Sequence, residues 1–195
     1  MVVNQTLMGA TIGTDTFLKK VLLVLAGSAL IAIAAQISVP FFPVPMTLQT
    51  LAILAIGLSF GARLGVATVL AYLLEGAAGL PVFANGGAGL AYMAGPTAGF
   101  LLGFVAMVFV AGLAARRGLM VMIPAALIAA AIVYLPGLAW PAGVAGVFGI
   151  EAGWAGLSFD KIWAGFAANF ILGDAVKAIA AALIVAGGWS VLRRT

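Results

Sequence analysis

The stretch "GLPVFANGGAGLAYMAGPTAGF", Gly79 to Phe100, holds too many glycines for a comfortable helix and too few polar side chains for a loop in water. On its own it fits a phosphate loop, a tight link between two helices, or a lid over a binding site. The rest of the chain narrows the choice. Hydrophobic residues make up 65% of the 195 and charged residues 7%, far from the balance of soluble globular proteins, so the chain reads as an integral membrane protein. At about 20 residues per span, the length allows roughly five to seven transmembrane helices. A single domain over residues 1–195 is expected, with 1–15 a flexible tail.

Whole classes of chemistry drop out. There is no cysteine and no histidine, which removes disulfides, thiolate metal sites, Cys nucleophiles, His-based triads and most zinc sites. The length leaves no room for a soluble ATPase domain, so any dependence on ATP has to come from partners. A net charge of +4 could point to nucleic acid in a soluble protein, but here the basic residues sit in small groups at helix ends and read as topology signals. Lys19-Lys20, an apolar run and "AIAAQ" (Ala32 to Gln36) imitate a signal peptide; the membrane-embedded pattern beyond them argues against cleavage.

Apolar runs bounded by Gly, Pro or charge give six expected spans, at about 17–38, 46–61, 63–77, 97–115, 118–138 and 173–192. The fold class is therefore an all-α bundle of six transmembrane helices. In "LSFDKIWAGFAANFI", Phe159, Ile162, Trp163, Phe166 and Phe170 recur at helical spacing while Asp160 and Lys161 fall off the stripe. This predicts an amphipathic interfacial helix capped by Ser158. Lys19, Lys20, Arg63, Arg116, Arg117, Arg193 and Arg194, seven of the nine basic residues, share one side of a six-helix chain. The positive-inside rule makes that side cytoplasmic and puts both termini there. The other side carries structured loops: "SVPFFPVPMT", the opening stretch, and the connection holding Trp140, Trp154 and Trp163 as an aromatic belt. Gly61-x3-Gly65 and Gly95-x3-Gly99 begin two helices alike, but no internal repeat follows, so an inverted-repeat transporter is not supported.

Few polar side chains remain to carry function. Asp174 and Lys177, in "GDAVKAIAAAL", lie three apart on one helix face. They read either as a helix cap with a local ion pair or as a donor–acceptor pair aimed into the bundle, beneath a chain break at Gly173. An ionisable group at membrane depth costs roughly 2.5–3.5 kcal/mol to insert, which favours a role. Glu75 is either hydrated at the outer end of the third span or facing the same cavity. Thr47 and Gln49 begin the second span after Pro40, Pro43 and Pro45; a glutamine there is expected against a ligand or a neighbouring helix. The opening stretch lacks the GKS or GKT ending of a phosphate loop, so a lid, or a plain Gly-rich turn, fits better. Asn85 would offer it a donor and an acceptor, and Tyr92 an aromatic wall with a hydroxyl. On the first span Ser28 and Ala32 form a small-x3-small pair, followed one turn later by Gln36, a face suited to docking a partner helix.

Three motifs together carry a family resemblance: "VPFFPVPMTLQTLA" (39–52), "EGAAGLPVFANGGAGLAYMAGPTAGFLLGF" (75–104) and "FILGDAVKA" (170–178). Over roughly residues 36–180 the chain resembles the BioY family, the substrate-binding subunits of energy-coupling factor (ECF) biotin transporters. The resemblance implies a multi-pass protein of the bacterial inner membrane, not an enzyme and with no cofactor, that binds biotin from outside. It would work in the lipid bilayer with a transmembrane coupling subunit and two ATPases, toppling to release biotin inside, and would have no nucleic-acid partner. Ser28 and Ala32 would map to the face that docks the coupling subunit. Asn85 stands where relatives commonly have glycine, and Ile171-Leu172 replaces a proline-containing approach to the Gly-Asp pair. On this resemblance Asp174 would accept from a ureido N–H, Asn85 or Gln49 would complete the ureido contacts, Tyr92 would pack on the apolar part, and Lys177 would answer a negative or carbonyl group. Two other readings compete: an intramembrane enzyme with Asp174 and Glu75 as paired carboxylates, and a standalone ion-coupled carrier with Glu75 as its protonation site.

Overall fold

The computed structural model describes residues 6–192 and is mostly helical. A short helix α1 (Leu7–Thr11) precedes α2 (Phe17–Gln36), which begins where the Thr16 side chain accepts from the Lys19 N–H. Two-residue strands β1 (Ser38–Val39) and β2 (Met46–Thr47) then pair antiparallel around the proline-rich loop, in which the Phe42–Pro43 peptide is cis. Next come α3 (Gln49–Phe60) and α4 (Ala62–Ala77), joined by Gly61 alone. A tight turn at Ala84–Gly86 and the short α5 (Gly89–Met93) lead into α6 (Ala98–Leu113) and α7 (Leu119–Ile132). Beyond α7 follow α8 (Tyr134–Ala139), a π-helical turn (Trp140–Val144) and α9 (Ala145–Val147). The described residues end with α10 (Phe159–Trp163), a second π-helical turn (Ala164–Ala168) and α11 (Ile171–Leu192).

All six apolar segments marked out by the sequence are helical. Among the described residues three stretches, Phe17–Gln36, Leu119–Val147 and Phe159–Leu192, are long and apolar enough to cross a membrane, while α3 and α6 are apolar but shorter. The short α3 is apolar on every side because it is enclosed: α2, α4, α6 and α11 all pack on it, and Ile53, Leu54 and Leu58 have no exposed surface. A helix with little lipid to face can be brief.

Several boundaries differ from expectation. The fifth segment does not stop near residue 138. Pro141 has no amide proton to give back to the preceding turn, and the helix passes it by widening, with the Ala145 N–H donating to the Trp140 carbonyl. The predicted interfacial helix is likewise no separate unit, since α10 and its π-helical turn run to a break at Asn169–Phe170 and then into α11. Its apolar stripe splits: Ile162, Phe166 and Phe170 are buried with Val44, whereas Phe159 and Trp163 stack on each other in the open. Ser158 holds the N-cap position without a side-chain capping bond. Trp140 is buried and donates its indole N–H to the Gly95 carbonyl at 2.9 Å, so it is an interior strut and not part of an aromatic belt. Of the segment read as a tail, Thr6 caps α1, and Leu7 is buried at the place where a side chain on Gly188 would meet it.

The two ends of the bundle differ. Gly61 lies against Thr6 and Ala115, so the α3–α4 and α6–α7 turns meet at one end, with Arg63, Arg116 and Arg117; Arg193 and Arg194 lie outside the described residues. At the opposite end the long connections touch one another, Ser38 reaching Asn85, Trp140 reaching Gly95, and Pro43 lying beside Gly165.

Candidate functional site

A cavity of about 590 Å³, counting its open mouth, lies at the loop-bearing end among α3, α6, α8 and α11. Its walls are largely apolar, with Phe100, Leu101, Phe104, Val133 and Phe170 around it, and a few polar groups converge on it. The lining is that of a site for a small, mainly apolar ligand.

Asp174 is the centre of the polar side. The last helix starts at Ile171, so the expected break at Gly173 is absent; the break at Asn169–Phe170 puts Asp174 in the first helical turn. It does not cap that helix with its side chain. Its Oδ1 accepts from Thr50 Oγ1 at 2.9 Å and pairs with Lys177 Nζ at 2.7 Å, and its Oδ2 accepts from Tyr134 Oη at 2.6 Å. Three donors on a carboxylate with about four acceptor sites leave room on Oδ2 for one more. The pair is buried, and burial of this kind is tolerated only where both charges are compensated. Lys177 also donates to the Thr47 carbonyl at 2.9 Å.

From there a hydrogen-bonded chain crosses the bundle. The Thr47 hydroxyl donates to Gln49 Oε1 at 2.9 Å, Gln49 Nε2 donates to Tyr72 Oη at 2.7 Å, and Tyr72 donates to the Val82 carbonyl at 3.1 Å. The chain thus ties α11 to the glycine-rich connection above the cavity.

That connection is a roof. Asn85 and Gly86 both have positive φ, 57° and 71°, and the Gly87 N–H returns to the Ala84 carbonyl, the pattern of a type I′ turn, which Asn-Gly favours. Asparagine in place of glycine at this point keeps the turn, because it tolerates the left-handed conformation. Phe83 points down into a slot that exists because residue 76 is glycine; a Cβ there would lie 2.0 Å from the ring. Phe83 meets Tyr72 edge-on at 5.5 Å and stacks on Tyr92 at 5.0 Å, and Tyr92 and Ala84 border the cavity. Burial raises the pKa of the Tyr92 phenol, with a hydrogen bond to Thr97 opposing, so it presents a neutral hydroxyl.

Of the residues singled out from sequence, Thr47, Gln49, Tyr92, Asp174 and Lys177 come together on the cavity wall. Asn85 does not: its side chain accepts from Ser38 Oγ at 3.2 Å on the outer surface. Glu75 does not either, since it takes the hydrogen bond of the Ser28 hydroxyl between α4 and α2. It shares no hydrogen bond with Asp174, so the two do not form paired catalytic carboxylates. Ser28 has no exposed surface and so is not available to dock a partner, while Ala32 is half-buried against the core. Thr50, Thr97, Phe100 and Tyr134 line the cavity without having been expected there. Tyr134 carried a usable signal, a lone phenol at the end of an apolar run, which when buried needs a partner for its hydroxyl.

The model of the BioY family matches residues 5–194. The chain belongs to the BioY family. It is 36% identical over 166 residues to a probable biotin transporter BioY of Pyrococcus horikoshii, an alignment covering 85% of this chain and 93% of that protein. A biotin transporter BioY of Rhizobium etli is 42% identical over 150 residues, 76% of this chain and 79% of that one. The fold matches the crystal structure of the S-component for biotin from an ECF-type ABC transporter with a TM-score of 0.74 and 23% identity, covering 93% of this chain and 94% of that one.

Proposed function

We propose that this chain binds biotin in the cavity at its loop-bearing end and is the substrate-binding membrane subunit of an ECF-type biotin transporter. The observation that carries the reading is Asp174: a buried carboxylate with one acceptor site to spare, held by Thr50, Tyr134 and Lys177 at the edge of an apolar cavity. Biotin offers what such a site can take, with two ureido N–H donors, a ureido carbonyl, an apolar bicycle and tail, and a carboxylate. Asp174 accepts from a ureido N–H, Gln49 and Thr47 complete the polar contacts, Tyr92 packs on the apolar part, and Lys177 answers the carbonyl or carboxylate. The names borne by its relatives support biotin over other small apolar solutes.

In this reading the six main helices span a bacterial inner membrane, both termini lie in the cytoplasm, and the roof faces outward, opposite Arg63, Arg116 and Arg117. A transmembrane coupling subunit and two ATPases supply the energy. Uptake of labelled biotin into proteoliposomes tests this. ATP-dependent uptake is expected only when coupling subunit and ATPases are present. Accumulation by the isolated chain under a proton gradient would overturn the assignment in favour of an ion-coupled carrier.

A further inference from the structure

Gln36, the last residue of α2, borders no part of the cavity, yet its side chain is bonded across to the roof. Its Nε2 donates to the Phe83 carbonyl at 3.0 Å and to the Ala32 carbonyl of its own helix at 3.3 Å, and its Oε1 accepts from the Gly86 N–H at 3.0 Å. One amide thus grips both sides of the Ala84–Gly86 turn as another peptide group would. Ser38, two residues on, adds the contact to Asn85. The gripped turn carries Phe83, whose ring stacks on Tyr92, and Ala84, which borders the cavity, so what Gln36 holds is the roof's position over the ligand space.

We propose that Gln36 is a positioning residue, a latch that sets how fast the roof opens and closes over the cavity. The latch bonds join α2 to the roof on the outer side, and none of their atoms reaches the cavity. They therefore stabilise the closed roof equally with the cavity filled or empty. Weakening them raises the rates of ligand entry and exit together and leaves the equilibrium almost unmoved. A residue that merely shaped the site would change affinity instead.

The test compares full-length wild type with Gln36→Ala and Gln36→Glu in lipid nanodiscs, measuring association and dissociation of labelled biotin and hydrogen exchange at the Gly86 amide. Gln36→Ala is expected to raise both rates about tenfold, as two lost hydrogen bonds would, with Kd within about threefold. Exchange at Gly86 accelerates. Gln36→Glu keeps an acceptor for the Gly86 N–H but no donor for the Phe83 carbonyl, and gives a smaller rise with Gly86 still protected. Unchanged rates in Gln36→Ala, or faster dissociation with association unaltered, would overturn the latch. The kinetic readout rests on the biotin reading. If wild type binds no biotin, that reading fails, and the latch is judged on exchange alone: faster exchange at Gly86 in Gln36→Ala supports it, and unaltered exchange sinks it.

Discussion

Asp174 and Glu75 are both carboxylates at the loop-bearing end of an apolar bundle, and their surroundings differ in kind. Asp174 gathers three side-chain donors from α3, α8 and α11 at the edge of a cavity. Glu75 takes one hydroxyl, that of Ser28, and stands outside the cavity lining. Depth in the membrane makes both costly, so cost alone does not mark a binding site. What separates them is the arrangement of donors around an open space: the first carboxylate is held ready for a ligand, the second fastens α4 to α2.

The largest effect expected from this contrast is at Asp174 itself. Asp174→Ala leaves the Lys177 ammonium buried without its partner, which should lower stability by about 3–5 kcal/mol in denaturation measurements and remove biotin binding. Tyr134→Phe deletes one hydrogen bond to that carboxylate. A loss of about 1.5–3 kcal/mol should appear as at least tenfold weaker biotin binding with the bundle still folded. Ser28→Ala acts on the other carboxylate, and there the effect should fall on stability, about 1 kcal/mol, with biotin affinity within about twofold of wild type. Glu75→Gln should do least, because an amide oxygen still accepts from the Ser28 hydroxyl. Biotin affinity that collapses in Glu75→Gln while surviving in Tyr134→Phe would reverse the contrast between the two sites.

Much of this was readable from the chain. Six apolar runs separated by Gly, Pro or charge became six helices because apolar content and breakers are local properties. Asp174, Lys177, Thr47 and Gln49, singled out because charged and amide groups in an apolar setting need partners, lie together on the cavity wall. The failures share a cause as well. Whether Ser28 faces outward or toward α4 depends on the rotation of α2 within the bundle, and a stripe of small residues does not encode that. Asn85 looked like a ligand group because asparagine is polar; in the fold it serves a left-handed turn, and its side chain points to Ser38. The continuation of the helix past Pro141 was hidden because proline normally signals an end, and here a widened turn carries the helix past it.

Equilibrium binding of labelled biotin to purified wild type and Asp174→Asn, side by side, tests the central claim most directly. The substitution keeps the shape of the side chain while removing the charge that Lys177 pairs with and one of the acceptors. The account predicts saturable binding by wild type and at least a hundredfold weaker binding by Asp174→Asn. Equal affinity in the two proteins, or no detectable binding by wild type at micromolar biotin, would contradict it.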